Sequence, residues 1–362
     1  MTRPVDERAV SEALATIFRT PVEVRGIEEL AGDASTRRYF RVRLGPGPPG
    51  SSLVVMEYPD DVPPGGELPF VHVHRYLKKA EIPVPEILHH SPGERLLFLE
   101  DAGDALLERV VRDAESTDGF LPLYERSIEI LVRIQWEGTR ALDGKAIPAR
   151  LAFDVRKFAE EIDFFFEHAV REYGRIPLSG PEERAIEDLF LPVLDTLSAL
   201  PRVLAHRDYH SRNILVIPGA GRGAPSSLRI LDFQDARMGT LFYDLASLLR
   251  DSYVALPEPS VDHLLYAYRH AAPGELRRMG GDAGTFSFHL DLAALQRNVK
   301  AIGTFGNQAA NRGKRFYLQF VPPTVAHIEA NIARNPRLRS LGRRLLPILS
   351  DLAAKAASEA AS

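Results

Sequence analysis

The sequence predicts an α+β protein with two unequal lobes, a small lobe built on antiparallel β-strands and a larger lobe that is mostly helical. Short apolar runs separated by Pro/Gly-rich turns dominate the first hundred residues, which is typical of strands and hairpins. Beyond them, apolar residues recur at helical spacing in several long stretches. We therefore divide the 362 residues into a small lobe over 1–100 and a larger lobe over 101–362. A cleft between two such lobes is a natural site for a small molecule.

The small lobe is expected to open on an amphipathic helix, because Val10, Leu14 and Phe18 recur every four residues. Strands are predicted over 22–27, 39–44 and 53–58, and the last two flank the Pro/Gly-rich segment 45–52. That segment predicts a hairpin between them. A helix over 68–79 and a strand pair over 87–91 and 95–100 complete the lobe.

The larger lobe contains periodic apolar stretches that predict helices, interrupted by two short strands. The helices are predicted over 121–136, 154–173, 181–200, 243–253, 261–272, 286–305 and 322–335. The strands, over 214–217 and 228–231, are joined by a glycine-rich loop and predict a second hairpin. The Ala/Ser-rich tail over 351–362 is expected to fray.

Composition excludes several classes of function. The chain has no cysteine, which removes thiolate catalysis, disulfides and cysteine-ligated metals. Its net charge of −4 gives no bulk attraction to nucleic acid or to an anionic membrane. Neither a secretory signal nor a run of about 18 apolar residues is present. We therefore expect a cytoplasmic protein that acts on a small molecule, with neither nucleic acid nor a membrane as partner.

Two linked motifs carry the chemistry. His206 to Asn213 reads H-R-D-x-x-x-x-N, and nineteen residues later Asp232 follows the second strand of the hairpin. Mg²⁺ prefers hard oxygen ligands, which the Asp232 carboxylate and the Asn213 amide oxygen can supply beside substrate phosphates. Asp208 lies on the loop between strands, where it can orient and deprotonate an attacking hydroxyl. The spacing therefore predicts phosphoryl transfer.

HRDYHSRN and ILDFQDA together resemble the aminoglycoside phosphotransferase superfamily, which is kinase-like. The stretches over 32–41, 97–103, 243–249 and 295–303 are similar to the bacterial anomeric kinases of N-acetylmuramate and N-acetylglucosamine. The resemblance implies a bilobal protein-kinase-like fold, ATP and Mg²⁺ as cofactors, and an amino sugar phosphorylated on its anomeric hydroxyl during cell-wall sugar recycling. It also implies that Asp208 is the catalytic base and that Asn213 and Asp232 are the metal ligands.

The nucleotide is expected at three places. Ser35, Thr36 and Arg37 lie in the loop that would cover the phosphates, although a plain turn is the alternative. The backbone from Glu100 to Ala102 lies at the lobe hinge and could contact the adenine edge. Kinases usually carry a lysine on the third strand, yet Met56 stands there. Either Arg37 or Arg38 substitutes for it, or the enzyme manages with backbone and metal.

The acceptor is expected to contact His210, Gln234, Asp235 and Arg297, with Asn298 and Lys300 as further candidates. The planar guanidinium of Arg297 would suit a lactyl carboxylate, and an ion pair inside the helical lobe is the alternative. Asp244, at a helix start, either braces the catalytic loop or favours the helix dipole. Two other functions stay open: a kinase of another acceptor, such as a hexosamine, an aminoglycoside or choline, and an inactive nucleotide-binding scaffold.

Overall fold

The computed structural model describes residues 5–30, 37–47, 50–59, 67–219 and 226–360. The α+β class and the two-lobed arrangement are confirmed: a five-stranded antiparallel sheet is followed by a mostly helical lobe that contains two small strand pairs. The last strand of the sheet ends at Glu100, where the sequence divides the lobes, and the next helix begins at Leu107. We keep residue 100 as the proposed boundary.

The small lobe is the sheet with one helix on each face. Its elements are α1 (Glu7–Phe18), β1 (Val24–Leu30), β2 (Arg38–Leu44), β3 (Ser52–Glu57), α2 (Pro69–Lys79), β4 (Ile87–Ser91) and β5 (Leu96–Glu100). The strand order in the sheet is β1-β2-β3-β5-β4. The predicted hairpin is confirmed, since β2 pairs with β3 from Arg38–Glu57 to Arg43–Ser52.

The two faces of the sheet pack against different parts of the protein. Val42, Val55 and Phe98 point to one side and form a cluster with α1. Met56 and Leu97 point to the other side and join a continuous core that contains α2 and the larger lobe. Alternate residues of one strand therefore face either the outer helix or the rest of the molecule, as strand geometry requires.

The larger lobe is built from twelve helices of very different length and four short strands in the described ranges. The helices are α3 (Leu107–Arg112), α4 (Leu121–Arg133), α5 (Thr139–Ala141), α6 (Ile147–Arg150), α7 (Val155–Phe165), α8 (Gly180–Ala199), α9 (Leu241–Leu249), α10 (Glu258–Ala271), α11 (Gly274–Met279), α12 (Ala283–Arg312), α13 (Val321–Arg334) and α14 (Arg339–Ala360). The strands are β6 (Arg202–Ala205), β7 (Ile214–Ile217), β8 (Ser227–Ile230) and β9 (Arg237–Thr240). Across these same ranges, none of the helices has the length and apolarity needed to cross a membrane.

The structure adds to the sequence prediction at two places. Strand β7 pairs with β8 as predicted, but β6 pairs with β9, a strand that the sequence did not predict. The reason is that Arg237–Thr240 reads RMGT and shows no alternation of apolar residues. The prediction that the tail frays from 351 is wrong up to Ala360, because α14 buries Leu352 and Ala356 completely.

Helix α12 forms the axis of the larger lobe. It has 30 residues and packs against α7, α9 and α13. At Gly306, an added Cβ would lie 2.6 Å from the Cα of Ala169, and at Gly303 one would lie 2.9 Å from the Cα of Phe165. Only glycine allows the backbones to approach so closely. This contact fixes α12 beside the segment that continues α7, and thereby positions the side chains of α12 near the catalytic loop.

Candidate active site

The loop between β6 and β7 is held by hydrogen bonds to two buried carboxylates. Asp244, at the start of α9 and fully buried, accepts hydrogen bonds from the backbone N–H groups of His206 (2.6 Å) and Arg207 (2.9 Å). Asp251 accepts from the backbone N–H and the hydroxyl of Ser211, at 2.9 and 2.5 Å. These bonds hold Arg207 at a φ of 87°, in a region that side chains rarely adopt. The contacts of Asp244 agree with the bracing role considered for it.

The hairpin of β7 and β8 brings Asn213 and Asp232 together. Ile214 pairs with Ile230, and the backbone N–H of Leu231 donates to the carbonyl of Asn213 at 2.9 Å. The Asn213 amide nitrogen donates to the carbonyl of Asp208 (2.9 Å), which leaves its amide oxygen to act as a ligand. Residues 213 and 232 are therefore neighbours because of strand pairing, although nineteen residues separate them.

A divalent cation fits this pair. Partial desolvation and, after it, the nearby charge of Asp208 raise the pKa of Asp232. The Asp232 side chain is still 48% exposed, so an ion can reach it. One carboxylate oxygen and one amide oxygen, completed by phosphate oxygens and water, make a ligand set that suits Mg²⁺.

Asp208 carries a full negative charge. Burial opposes that charge, but the Lys300 ammonium and the Arg207 guanidinium lower the pKa of Asp208 well below its usual range. The Lys300 ammonium on α12 donates to the Asp208 Oδ1 at 2.9 Å. This ion pair joins residues 92 positions apart in the chain. No local sequence pattern predicts it.

Both histidines of the loop are buried and neutral. Burial lowers the pKa of His206 to about 4, and the pKa of His210 is lowered well below its usual range. The His210 ring packs edge-on against Tyr253, with ring centres 5.1 Å apart. His206 likewise packs against Tyr209 at 5.6 Å. His210, predicted to contact the acceptor, is thus a buried residue that packs against Tyr253.

Arg37 and Arg38 lie on opposite sides of the small lobe. Arg37 reaches across the cleft, with its Nη1 4.0 Å from the Asp232 Oδ1. Arg38 lies on the outer face of the sheet and forms ion pairs with Glu29 and Glu57, both at 3.0 Å. Of the two candidates for replacing the missing lysine, the structure places only Arg37 beside the predicted metal site. Ser35 and Thr36 lie outside the described residues.

The hinge contains a network that the sequence did not predict. The Arg41 guanidinium binds both Asp101 (2.7 Å) and Asp104 (2.8 Å), and the Ser52 hydroxyl also donates to Asp101 (2.6 Å). Burial acts to raise the pKa of Asp101, but the hydrogen bonds from Arg41 and Ser52 prevail and lower it. The network ties strands β2 and β3 to the segment that links the lobes.

The predicted hinge residues Glu100 and Ala102 lie beside that network. Glu100 accepts a two-pronged contact from Arg229 on β8, at 2.9 and 3.0 Å, and its backbone N–H donates to the carbonyl of Glu86 at 2.9 Å. Ala102 is buried. The Glu100 side chain therefore joins the small lobe to the catalytic hairpin.

The remaining acceptor candidates have partners inside the protein. The Gln234 amide donates to Asp232 (2.7 Å) and to Asp235 (3.4 Å). Asp235 lies 3.6 Å from Arg207. Arg297 is buried, and its guanidinium donates to the hydroxyls of Ser247 (3.1 Å) and Ser252 (3.3 Å). Gln234 and Asp235 thus lie against the metal and base residues, whereas Arg297 lies inside the helical lobe.

Glu161 on α7 is a polar residue of this lobe that the sequence did not single out. It is buried and accepts from the Gln296 amide on α12 at 2.9 Å. Its charge is close enough to raise the pKa of Tyr243 and of Arg207. The sequence contains no signal for it, because the contacts come from helices 135 residues apart.

A sheet lobe, a helical lobe and an acid–amide–acid set on one hairpin define a two-lobed phosphotransferase. The model of the phosphotransferase enzyme family matches residues 26–280. The chain belongs to this family, and the resemblance to the aminoglycoside phosphotransferases is confirmed.

Individual relatives cover nearly the whole chain. An N-acetylmuramate/N-acetylglucosamine kinase of Pseudomonas putida is 31% identical, over 92% of this chain and 92% of its own. The kinase of the same name from Neisseria meningitidis is 28% identical, over 89% and 90%. Among solved structures, the ADP-bound aminoglycoside phosphotransferase APH(2'')-Ib has a TM-score of 0.55 at 14% identity, covering 90% of this chain and 97% of that one. A microcompartment-associated aminopropanol kinase has the same TM-score at 13% identity, covering 96% and 98%. These two structures show the fold.

Proposed function

We propose that this protein is an ATP-dependent, Mg²⁺-requiring sugar kinase that phosphorylates the anomeric hydroxyl of N-acetylmuramate, N-acetylglucosamine or both. The observation that carries the proposal is the set of Asp208, Asn213 and Asp232 around one hairpin, in a chain that is similar over its length to kinases named for these sugars. The product would be a sugar 1-phosphate, which suits cell-wall sugar recycling.

The residues divide the reaction between them. Asp208 accepts a hydrogen bond from the acceptor hydroxyl and takes its proton as the hydroxyl oxygen bonds to the γ-phosphorus. The bond from that phosphorus to its bridging oxygen breaks, and ADP leaves with the electron pair. Asn213 and Asp232 would hold Mg²⁺, which neutralises phosphate charge when it is bound. Arg37 reaches from the small lobe toward the same phosphates.

The other predicted site residues keep supporting roles in this proposal. Ser35 and Thr36 keep the phosphate-binding role that the sequence predicts for them, and the backbone at Glu100 and Ala102 would contact the adenine edge. Gln234 orients the Asp232 carboxylate to which it donates. His210 and Arg297 shape the acceptor pocket from buried positions, and Asp235 does so from beside Arg207.

The proposal is tested by ADP release across a panel of acceptors: the two N-acetylated sugars, glucosamine, an aminoglycoside, choline and homoserine. We expect turnover with one or both N-acetylated sugars, and a phosphorus–carbon coupling in the product that places phosphate on C1. The matched control is Asp208→Asn, which should retain nucleotide binding and lose turnover by at least about a thousandfold. Turnover with none of the sugars, or phosphate on O6, would contradict the proposal.

A further inference from the structure

A lysine of the helical lobe contacts Asp208, the proposed base. Lys300 lies on α12 and donates to the Asp208 Oδ1 at 2.9 Å, with its side chain 14% exposed. Exposed ion pairs have little effect because both partners stay solvated, but this pair is largely withdrawn from water. It is also held in place, because Gly303 and Gly306 on the same helix pack α12 closely against the end of α7 and the segment after it.

The neighbourhood of Lys300 makes it available to an incoming anion. An ammonium group has three donors, and Asp208 takes one of them. The contact occupies Oδ1 and leaves Oδ2 for the acceptor hydroxyl. A donor this close to the base is also close to the oxygen that the base deprotonates, and hence to the phosphoryl group that joins it.

The site needs such a cation. Three carboxylates, Asp208, Asp232 and Asp235, lie together here, and the transferring phosphoryl group brings further negative charge. The third strand of the small lobe has Met56, fully buried, where other kinases carry a lysine. Arg37 approaches from the small lobe. Lys300 approaches from the helical lobe.

We propose that Lys300 is a further catalytic residue, whose ammonium contacts the transferred phosphoryl group from the acceptor side and stabilises its charge during transfer. The inference rests on the proposed function and deepens it. Charge on the three equatorial oxygens of the phosphoryl group is what a kinase must stabilise, and a donor preorganised at that place acts most strongly in the transition state.

The test compares Lys300→Met and Lys300→Arg with Lys157→Met, a lysine on α7 whose ion pair with Glu160 lies at the surface. We expect Lys300→Met to lower kcat by roughly 10²–10³-fold, with KM for ATP and for the sugar changed by less than about threefold. Lys300→Arg should keep more activity than Lys300→Met, and Lys157→Met should behave as wild type. A kcat of Lys300→Met within about threefold of wild type would overturn the proposal.

Two measurements separate contact with the phosphoryl group from a structural role. Lys300→Ala should be rescued, in a saturable way, by methylammonium or ethylammonium, which can occupy the vacated space. In Lys300→Met, the affinity for ADP with aluminium fluoride and sugar should fall by the same factor as kcat, whereas the affinity for ADP alone should not change. Loss of kcat without loss of affinity for the aluminium fluoride complex would make Lys300 a positioning residue and overturn the contact. A variant that fails to fold would lose ADP binding, and the arginine variant and amine rescue then decide.

The outcomes also distinguish this inference from the proposed function. If the wild-type enzyme phosphorylates none of the sugars, the proposed function fails before any variant is compared. If the wild-type enzyme is active and Lys300→Met is equally active, only the role of Lys300 fails.

Discussion

At the scale of single residues, hydrogen bonds to buried carboxylates fix the conformation of the loop between β6 and β7. Asp244 and Asp251 hold backbone and hydroxyl donors of the loop. Burial raises the pKa of Asp244 to about 7, against the hydrogen bonds from the loop amides that favour its charged form. These hydrogen bonds hold the loop in its conformation, because breaking one would leave a buried donor or acceptor unpaired at a cost of about 1–3 kcal/mol.

His206 makes folding stability depend on pH. Burial lowers its pKa to about 4, whereas the unfolded chain has a histidine near pH 6.5. The folded state therefore binds fewer protons between these values, and the stabilisation present above pH 6.5 is lost as the pH falls toward 4. Between pH 8 and pH 5 we expect His206 to account for a loss of about 2 kcal/mol in the free energy of unfolding.

The measurement is urea unfolding of wild type and His206→Gln from pH 8 to pH 5, in which all other titrating groups are common to both proteins. The difference between the two should shrink by about 2 kcal/mol as the pH falls. His270→Gln, at an exposed position, is the control and should follow wild type. Parallel curves for wild type and His206→Gln would contradict the prediction.

Arg37 and Arg38 are adjacent in sequence, but Arg37 extends toward Asp232 across the cleft and Arg38 lies on the outer face of the sheet. We expect Arg37→Met to raise KM for ATP by roughly 10–100-fold, since a charge-assisted contact contributes about 1.5–3 kcal/mol. Arg38→Met removes ion pairs with Glu29 and Glu57 on the outer face and should leave KM for ATP within about twofold. Steady-state kinetics with ATP varied at saturating sugar distinguishes them, and equal effects of the two variants would argue against the assignment.

At the scale of elements, α12 decides which side chains reach the base. Lys300 on this helix contacts Asp208, and two glycines of the same helix let it pack backbone to backbone on the end of α7 and the segment after it. Helices that approach this closely cannot tolerate a methyl group at the contact. The glycines therefore affect the site indirectly, through the position of the helix that carries Lys300.

Gly306→Ala should lower the free energy of unfolding by about 1–3 kcal/mol, because the new Cβ would lie 2.6 Å from backbone atoms of residues 168 and 169. The control is Gly284→Ala in the first turn of the same helix, where the nearest atom to a Cβ is 3.6 Å away. That change should be neutral or stabilise by up to about 1 kcal/mol. Chemical denaturation compares the two, and a neutral Gly306→Ala would show that α12 can shift.

At the scale of the whole molecule, the lobes are joined by charge as well as by the apolar core. Arg229 on the catalytic hairpin binds Glu100 at the end of the sheet, and Arg37 approaches Asp232 across the cleft. On the hinge itself, Arg41 binds two carboxylates at once. Any nucleotide bound in the cleft would lie beside these contacts, so hinge geometry and nucleotide affinity should be linked.

Arg41→Met should therefore destabilise the protein by about 2–3 kcal/mol, since it leaves Asp101, a buried carboxylate, without its cation. It should also raise KM for ATP, because the hinge segment loses its tie to the sheet. Arg43→Met on the same strand removes an exposed pair with Glu28 and should cost at most about 0.5 kcal/mol. Thermal unfolding and ATP titration of both variants provide the check, and equal costs would mean that the Arg41 network has no special role.

Local patterns in the sequence were sufficient for much of the fold and for the proximity of the predicted site residues. Alternation and turn residues predicted the β2–β3 hairpin, and H-R-D-x-x-x-x-N with the later aspartate predicted which side chains would share the β7–β8 hairpin. Strand pairing is local here, so spacing along the chain already implies proximity. Strand β9 and the last helix escaped prediction, because RMGT and an Ala/Ser-rich tail form their elements only when the rest of the protein buries them.

The sequence by itself determined the class of fold and the proximity of Asp208, Asn213 and Asp232, because these depend on short-range periodicity and on one hairpin. Tertiary structure alone decided that Lys300 contacts the base, that Arg37 and not Arg38 faces the cleft, and that Arg297 lies within the helical lobe. Those facts depend on the packing of helices and lobes distant in the chain, and contacts of that range leave no periodicity in the sequence of either partner.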